Sequence, residues 1–320
     1  MSSTLHPQVQ EYLHGLTDEG LPPLYRLSLE DARQTYRDLS VPDEPPDEVA
    51  SVRDRTVPGP DGDIPVRLYR PVGDDPIAPL VFCHGGGWML GGLETHDALC
   101  RALANATNCL VVAVDYRLAP EHRFPAGLED CYAATCWVAN DEETLDVDAD
   151  SLVVAGDSAG ATLAMGVAML ARDRDGPAID YQVLAYPATN YAFDTASYEE
   201  NAQGYFLTRK DMERFWDGYL RSDLDATHAY ASPHRAESMA DLPPSLVVTC
   251  GFDPLRDDGR ALADRLSDAG VPTKHVEYED MIHGFLTMLS DPDLDRAREA
   301  IEEIGETVQH EVRQAAQVPQ

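Results

Sequence analysis

Five short apolar runs, at residues 80–83, 110–114, 152–155, 183–185 and 246–250, constrain this chain more than any other feature. Several are rich in valine and none alternates with polar residues, so each reads as a strand buried on both faces. Among them lie stretches of helical spacing at 95–105, 126–140, 159–172 and 256–269, and a last amphipathic one closes the chain from 293 to 315. Strand and helix in alternation predict an α/β fold, a mostly parallel central sheet flanked by helices on both faces. A chain of 320 residues can bury such a core as one large domain or two of average size.

The front of the chain follows another rhythm. Val9, Tyr12, Leu13 and Leu16 recur at helical spacing, and Ser28 with Asp31 marks a helix start before Ala32 and Tyr36. Pro42, Pro45 and Pro46 form a stiff linker, and Ile64, Val66 and Leu68 alternate as a strand after the turn residues 58–62. A second interruption runs from 188 to 231, where no strand run occurs but Tyr191, Phe193, Tyr198, Tyr205, Phe206, Phe215, Trp216 and Tyr219 crowd together. Such a segment is either a lid or an extra helical pair packed by its aromatics.

Charge narrows the partners. With 24 Lys plus Arg against 57 Asp plus Glu, the formal net charge is -33, which repels phosphate backbones and anionic lipid, so no nucleic-acid partner is expected. Lysine occurs only as Lys210 and Lys274, and the acidic excess is spread along the chain, as in the acidic proteins of salt-loving, haloarchaeal-type organisms. Salt-dependent stability follows from that reading. No basic segment followed by an apolar core stands at residues 1–20, so no secretory signal is expected. The longest apolar stretch, 159–171, is broken by Gly160, Thr162 and Gly166 and is too short to span a bilayer. Cys83, Cys100, Cys109, Cys131, Cys136 and Cys250 form no C-x-x-C pair and read as small buried hydrophobes in a reducing cytoplasm.

The chemistry concentrates at strand ends. Gly156-Asp157-Ser158-Ala159-Gly160 lies between the run 152–155 and a helical stretch, the setting that a nucleophile elbow needs. The turn strains the serine backbone, the flanking glycines leave it room, and the helix N-terminus favours the alkoxide. His84-Gly85-Gly86-Gly87-Trp88 follows another strand run, and consecutive glycines there free backbone amides to face a ligand. The amides of Gly85, Gly86, Gly87 and Ala159 are thus the expected oxyanion hole. Asp253 follows the run 246–250 at its C-terminal end, and His283 follows the strand-like 274–278, giving the order Ser158, Asp253, His283 expected of a serine elbow on a parallel sheet. Asp257 and Asp258 fit a helix start, and His275 falls inside a strand pattern. No G-K-[ST], G-x-G-x-x-G or H-E-x-x-H occurs, so neither a phosphate loop nor a metal site is expected.

These motifs resemble the hormone-sensitive lipase family of α/β-hydrolase carboxylesterases. The resemblance also covers Asp115-Tyr116-Arg117-Leu118-Ala119-Pro120-Glu121 with Phe124-Pro125-Ala126, and His283-Gly284-Phe285, and it extends over about residues 80–285. It implies a cap built from residues 1–46 and the insertion 188–231, above a catalytic body of 47–187 and 232–320. It also implies hydrolysis of short to medium acyl esters through an acyl-enzyme, with a small-molecule ester as partner and no cofactor. Ala161 and Asp258 depart from the family pattern, where glycine and glutamate are common. Trp88, Tyr186, Phe206 and Phe285 are read as pocket walls, with core or lid packing the alternative for each. An amidase or formamidase using the same triad, and a non-catalytic ligand-binding protein on the same scaffold, stay open as rivals, as does homo-oligomerisation.

Overall fold

A computed structural model describes residues 4–41, 46–73, 76–140, 145, 147 and 151–315. The apolar runs form the middle of an eight-stranded sheet: β3 (Pro79–Cys83), β4 (Leu110–Val114), β5 (Val153–Asp157), β6 (Tyr181–Ala185) and β7 (Ser245–Phe252). β1 (Ser51–Gly59) and β2 (Gly62–Arg70) precede them, and β8 (Thr273–Ile282) closes the order β1-β2-β4-β3-β5-β6-β7-β8. The first two pairings, β1 with β2 and β2 with β4, are antiparallel, and all those from β4 to β8 are parallel. β3, β4, β5 and β6 are buried at every residue, as expected of strands covered twice.

The two-residue period of a strand divides the core into two apolar clusters. Leu110, Val112 and Val114 face one, while Val111 and Ala113 face the other. Helices α4 (Ala126–Asn140), α5 (Ala159–Asp173) and α8 (Arg256–Asp268) cover the first face, and α3 (Asp97–Thr107) and α9 (Asp295–Ala315) the second. α5 is buried from Ala159 through Ala171, which explains why its sequence is apolar all round. Its apolar stretch is a core helix and not a membrane span; among the described residues no helix is long and apolar enough to cross a membrane. All six cysteines are unpaired thiols, five of them buried.

The interruptions are helical. α1 (Pro7–Asp18) and α2 (Leu29–Ser40) occupy the front, and the Ser28 hydroxyl caps α2 by accepting the Asp31 amide. The insertion holds α6 (Ala196–Glu200) and α7 (Arg209–Tyr219), the latter started by a reciprocal Thr208–Asp211 capping box. Asp211 Oδ1 also accepts the Tyr25 amide at 2.7 Å, which joins the front segment to the insertion. Arg33 of α2 donates to Met89 O at 2.9 Å and Ala119 O at 3.1 Å and pairs with Glu121, which fastens the front to the sheet domain. Pro42 and Pro45 of the linker, and most of the acidic stretch 141–150, lie outside the described residues.

Candidate active site

β5 runs straight into α5 with Ser158 alone between them. Its backbone sits at φ 55° and ψ -122°, a conformation that L-residues rarely adopt and that turns the side chain off the sheet edge. Its amide donates to Ala185 O at 2.8 Å. The turn is tight enough that a Cβ on Gly160 would lie 2.0 Å from Cys83 O, so any side chain there would push the elbow off β3.

The loops after β7 and β8 converge on the same point. Ser158 Oγ lies 2.8 Å from His283 Nε2, and His283 Nδ1 lies 2.8 Å from Asp253 Oδ2. A carboxylate oxygen can only accept, so Nδ1 carries the proton and Nε2 is left to receive one from the hydroxyl. Asp253 is fully buried and its other oxygen accepts the Leu255 amide at 2.8 Å. Its loop is tied to the insertion: Asn201 Nδ2 donates to Asp253 O at 3.1 Å, and Ser197 Oγ donates to Pro254 O at 2.7 Å. The Tyr186 ring packs edge-on against His283, with centroids 4.8 Å apart. His275 meets Thr249 Oγ1 within the sheet, away from this cluster, and Asp257 and Asp258 occupy the first turn of α8.

The glycine loop corrects one expectation. The Gly85 amide donates to Asp157 Oδ1 at 2.8 Å and is therefore not free to meet an oxyanion. Gly86 and Gly87, at φ 114° and 59°, line the cavity beside Ser158 and His283. Among the described residues, no hydrogen-bond acceptor meets the amides of Gly86, Gly87 or Ala159. The Gly87 Cα abuts the Phe215 ring of α7, where an added Cβ would lie 2.3 Å from the ring.

The cavity over Ser158 measures about 920 Å³. α1 and α2 supply Tyr12, Leu16, Tyr36 and Leu39, the insertion supplies Phe206, Leu207, Met212 and Phe215, and residues 287–293 complete the wall. Of the four aromatic residues read as pocket walls, Phe206 alone lies there. Trp88 is buried flat on Tyr219 with ring centroids 4.3 Å apart and packs against Trp216. Tyr186 stands behind His283, and Phe285 lies in the second-face core against Tyr278. Glu11, Glu19, Asp38, Asp291 and Asp293 line the cavity, and no Lys or Arg does so among the described residues. No group of three His, Cys, Asp or Glu side chains is placed to hold a metal ion among the described residues.

A family model for the alpha/beta hydrolase fold matches residues 80–287. The chain belongs to this family. The esterase LipI of Mycobacterium tuberculosis is 42% identical over 270 residues, covering 82% of this chain and 84% of its own. The hyperthermophilic esterase of Pyrobaculum calidifontis superposes with a TM-score of 0.90 at 40% identity, over 96% of this chain and 99% of that one. A thermostable esterase from Pseudomonas putida gives 0.93 at 35% identity, over 98% and 99%. In this hydrolase, sequence reasoning passed over two residues beside the site. Asp157 shows in the sequence only as part of the elbow pattern, and His96, whose Nε2 lies 3.3 Å from Asp157 Oδ1, belongs to no motif. The one available signal was the cost of a carboxylate inside an otherwise apolar strand end, which requires buried partners.

Proposed function

We propose that the chain is a serine carboxylesterase acting on short to medium acyl esters. The observation that carries this reading is the pair of 2.8 Å contacts linking Ser158, His283 and Asp253. They lie at the C-terminal edge of a parallel sheet, in a family whose relatives named above are esterases. In this reading His283 takes the hydroxyl proton as Ser158 attacks the ester carbonyl, and returns it to the departing alcohol. Water activated by His283 then releases the acyl group. Gly86, Gly87 and Ala159 donate their amides to the oxyanion of both tetrahedral intermediates. Residues 1–46 and 188–231 act as the cap, a reading supported by the share of the cavity wall that each supplies. The acidic lining and a net charge of -33 lower the local concentration of anionic substrates, so neutral and cationic esters are preferred.

Hydrolysis of a series of 4-nitrophenyl esters by wild type and Ser158→Ala tests the proposal. Turnover of the shorter esters by wild type, lost at least 10³-fold in the variant, is expected, since removing a nucleophile strips away most of the rate. If folded wild type cleaves matched anilides but no ester, the amidase reading replaces this one. If it cleaves neither, the ligand-binding reading does.

A further inference from the structure

Asp157 is 3% exposed and precedes the nucleophile in the chain, yet it takes no part in the proton path drawn above. Burial pushes its carboxyl up, but His96 and the Gly85 amide more than reverse this and hold it below the ordinary carboxylate range. Its Oδ1 accepts the Gly85 amide at 2.8 Å, and a Cβ on Gly85 would lie 2.5 Å from its Oδ2, so the loop is laid directly on the carboxylate. The carbonyl of the same peptide, His84 O, accepts the Tyr116 hydroxyl at 2.8 Å. The following peptide is held too, because His84 Nδ1 lies 2.8 Å from Gly85 O. Burial and the neighbouring His96 pull the His84 imidazole down to about 3, so it is a neutral ring donating from Nδ1. In a planar trans peptide the N–H points opposite to the C=O. A Gly85 carbonyl fixed toward His84 therefore fixes which way the Gly86 amide points.

We propose that Asp157 is a positioning residue for the oxyanion site: by holding the Gly85 amide beside the nucleophile, it sets the Gly86 and Gly87 amides in register with Ser158. This rests on the esterase reading. Nucleophile and loop anchor are then neighbours in one dipeptide, and the elbow itself sets the distance between the attacking oxygen and the oxyanion donors. His96, within ion-pair distance of the same carboxylate oxygen, supports that anchor and is itself held by Thr95 Oγ1, 2.9 Å from its Nδ1.

The test compares Asp157→Ala, Asp157→Asn, Gly85→Ala and the double variant Asp157→Ala/Gly85→Ala with wild type and Ser158→Ala on 4-nitrophenyl acetate. A parallel assay measures inhibition by a trifluoromethyl ketone, whose serine adduct carries an oxyanion. A displacement of about 1 Å at such donors costs on the order of 10²-fold. Asp157→Ala is therefore expected to lower kcat ~10- to 100-fold with KM within ~3-fold, and to weaken the inhibitor by the same factor. Asp157→Asn keeps an acceptor oxygen for Gly85 and is expected to recover most of the loss. Gly85→Ala pushes the carboxylate away, and because it breaks the same contact the double variant should be no worse than either single one. An Asp157→Ala enzyme with wild-type kcat and inhibitor affinity overturns the proposal, as does a double variant whose losses multiply. If Asp157→Ala does not fold, Gly85→Ala and Asp157→Asn carry the comparison, and equal kcat for both overturns it. Wild type that is inactive on every ester, or Ser158→Ala that stays active, defeats the esterase reading itself. Active wild type, dead Ser158→Ala and an unchanged Asp157→Ala defeat this inference alone.

Discussion

Replacing Arg117 with methionine would expose how the segment behind the glycine loop is held. Arg117 gives Asp130 three hydrogen bonds, from its backbone amide at 3.0 Å and from Nε and Nη2 at 2.8 Å each. The Asp130 side chain is 1% exposed and that of Arg117 24%, so the pair is desolvated mainly at the carboxylate end. Removing one partner of a buried pair costs ~3–5 kcal/mol, because the remaining charge keeps its desolvation and loses its compensation. The partial exposure of the guanidinium and the surviving amide bond place Arg117→Met toward the lower end, at ~2–4 kcal/mol. The second pairing of Arg117, with the 74%-exposed Asp61, adds at most ~1 kcal/mol. Arg117→Met/Asp130→Leu removes both charges and should recover most of the loss. Urea unfolding at fixed salt, followed by circular dichroism, reads the change as a shifted midpoint at constant slope. A single-variant loss below ~1 kcal/mol, or a double variant that loses the sum of both singles, would refute the reasoning. The segment matters to the site because Tyr116 and Ala119 hydrogen-bond to His84 O and Trp88 O, at the two ends of the glycine loop.

Three further outcomes follow from the same structure. Burial first, then Asp253 and Asp257, raise the Asp258 carboxyl to about 8 against two backbone amides that lower it. Between the unfolded carboxyl value near ~4 and about 8 the folded protein alone binds that proton, so stability falls as pH rises through this window. Asp258→Asn should flatten that fall, seen as variant urea midpoints that stay level between about pH 5 and pH 9 while those of the wild type drop. With a net charge of -33, the melting temperature should climb as salt rises from about 0.1 M to about 1 M and the Debye length shrinks from ~10 to ~3 Å; a flat profile removes the halophile reading. Phe206→Ala opens the cavity wall beside Tyr12 and should move the preferred acyl chain to longer esters, each newly buried methylene adding ~0.8 kcal/mol, or about 4-fold in kcat/KM. An unchanged chain-length profile would place that ring outside the acyl site.

Elements with strong two-sided burial were legible in the sequence. The doubly buried runs became β3 to β7, because a buried parallel strand allows little choice of register or face, and Ser158 and Asp253 at the ends of β5 and β7 each lie 2.8 Å from His283, which follows the partly exposed β8. β1 escaped notice. Its sequence Ser-Val-Arg-Asp-Arg-Thr-Val-Pro-Gly pairs only with β2 and buries only Val57, so it carries no apolar signature for a pattern to find. Trp88, Tyr186 and Phe285 were misplaced for another reason. An aromatic ring announces that it will be buried and not on which side of a loop, and at Trp88 and Tyr186 positive φ angles of 60° and 38° decide that side. The engagement of the Gly85 amide by Asp157 was likewise invisible, since a run of glycines shows that amides are accessible and says nothing of which is already taken.

The insertion is fastened to the acid loop through Ser197, Asn201 and the Arg256–Glu200 pair. α6 could not shift without tugging on the backbone that presents Asp253. The seating of that short helix is thus part of the proton path, since moving it would disturb the 2.8 Å contact by which Asp253 holds His283 in line with Ser158.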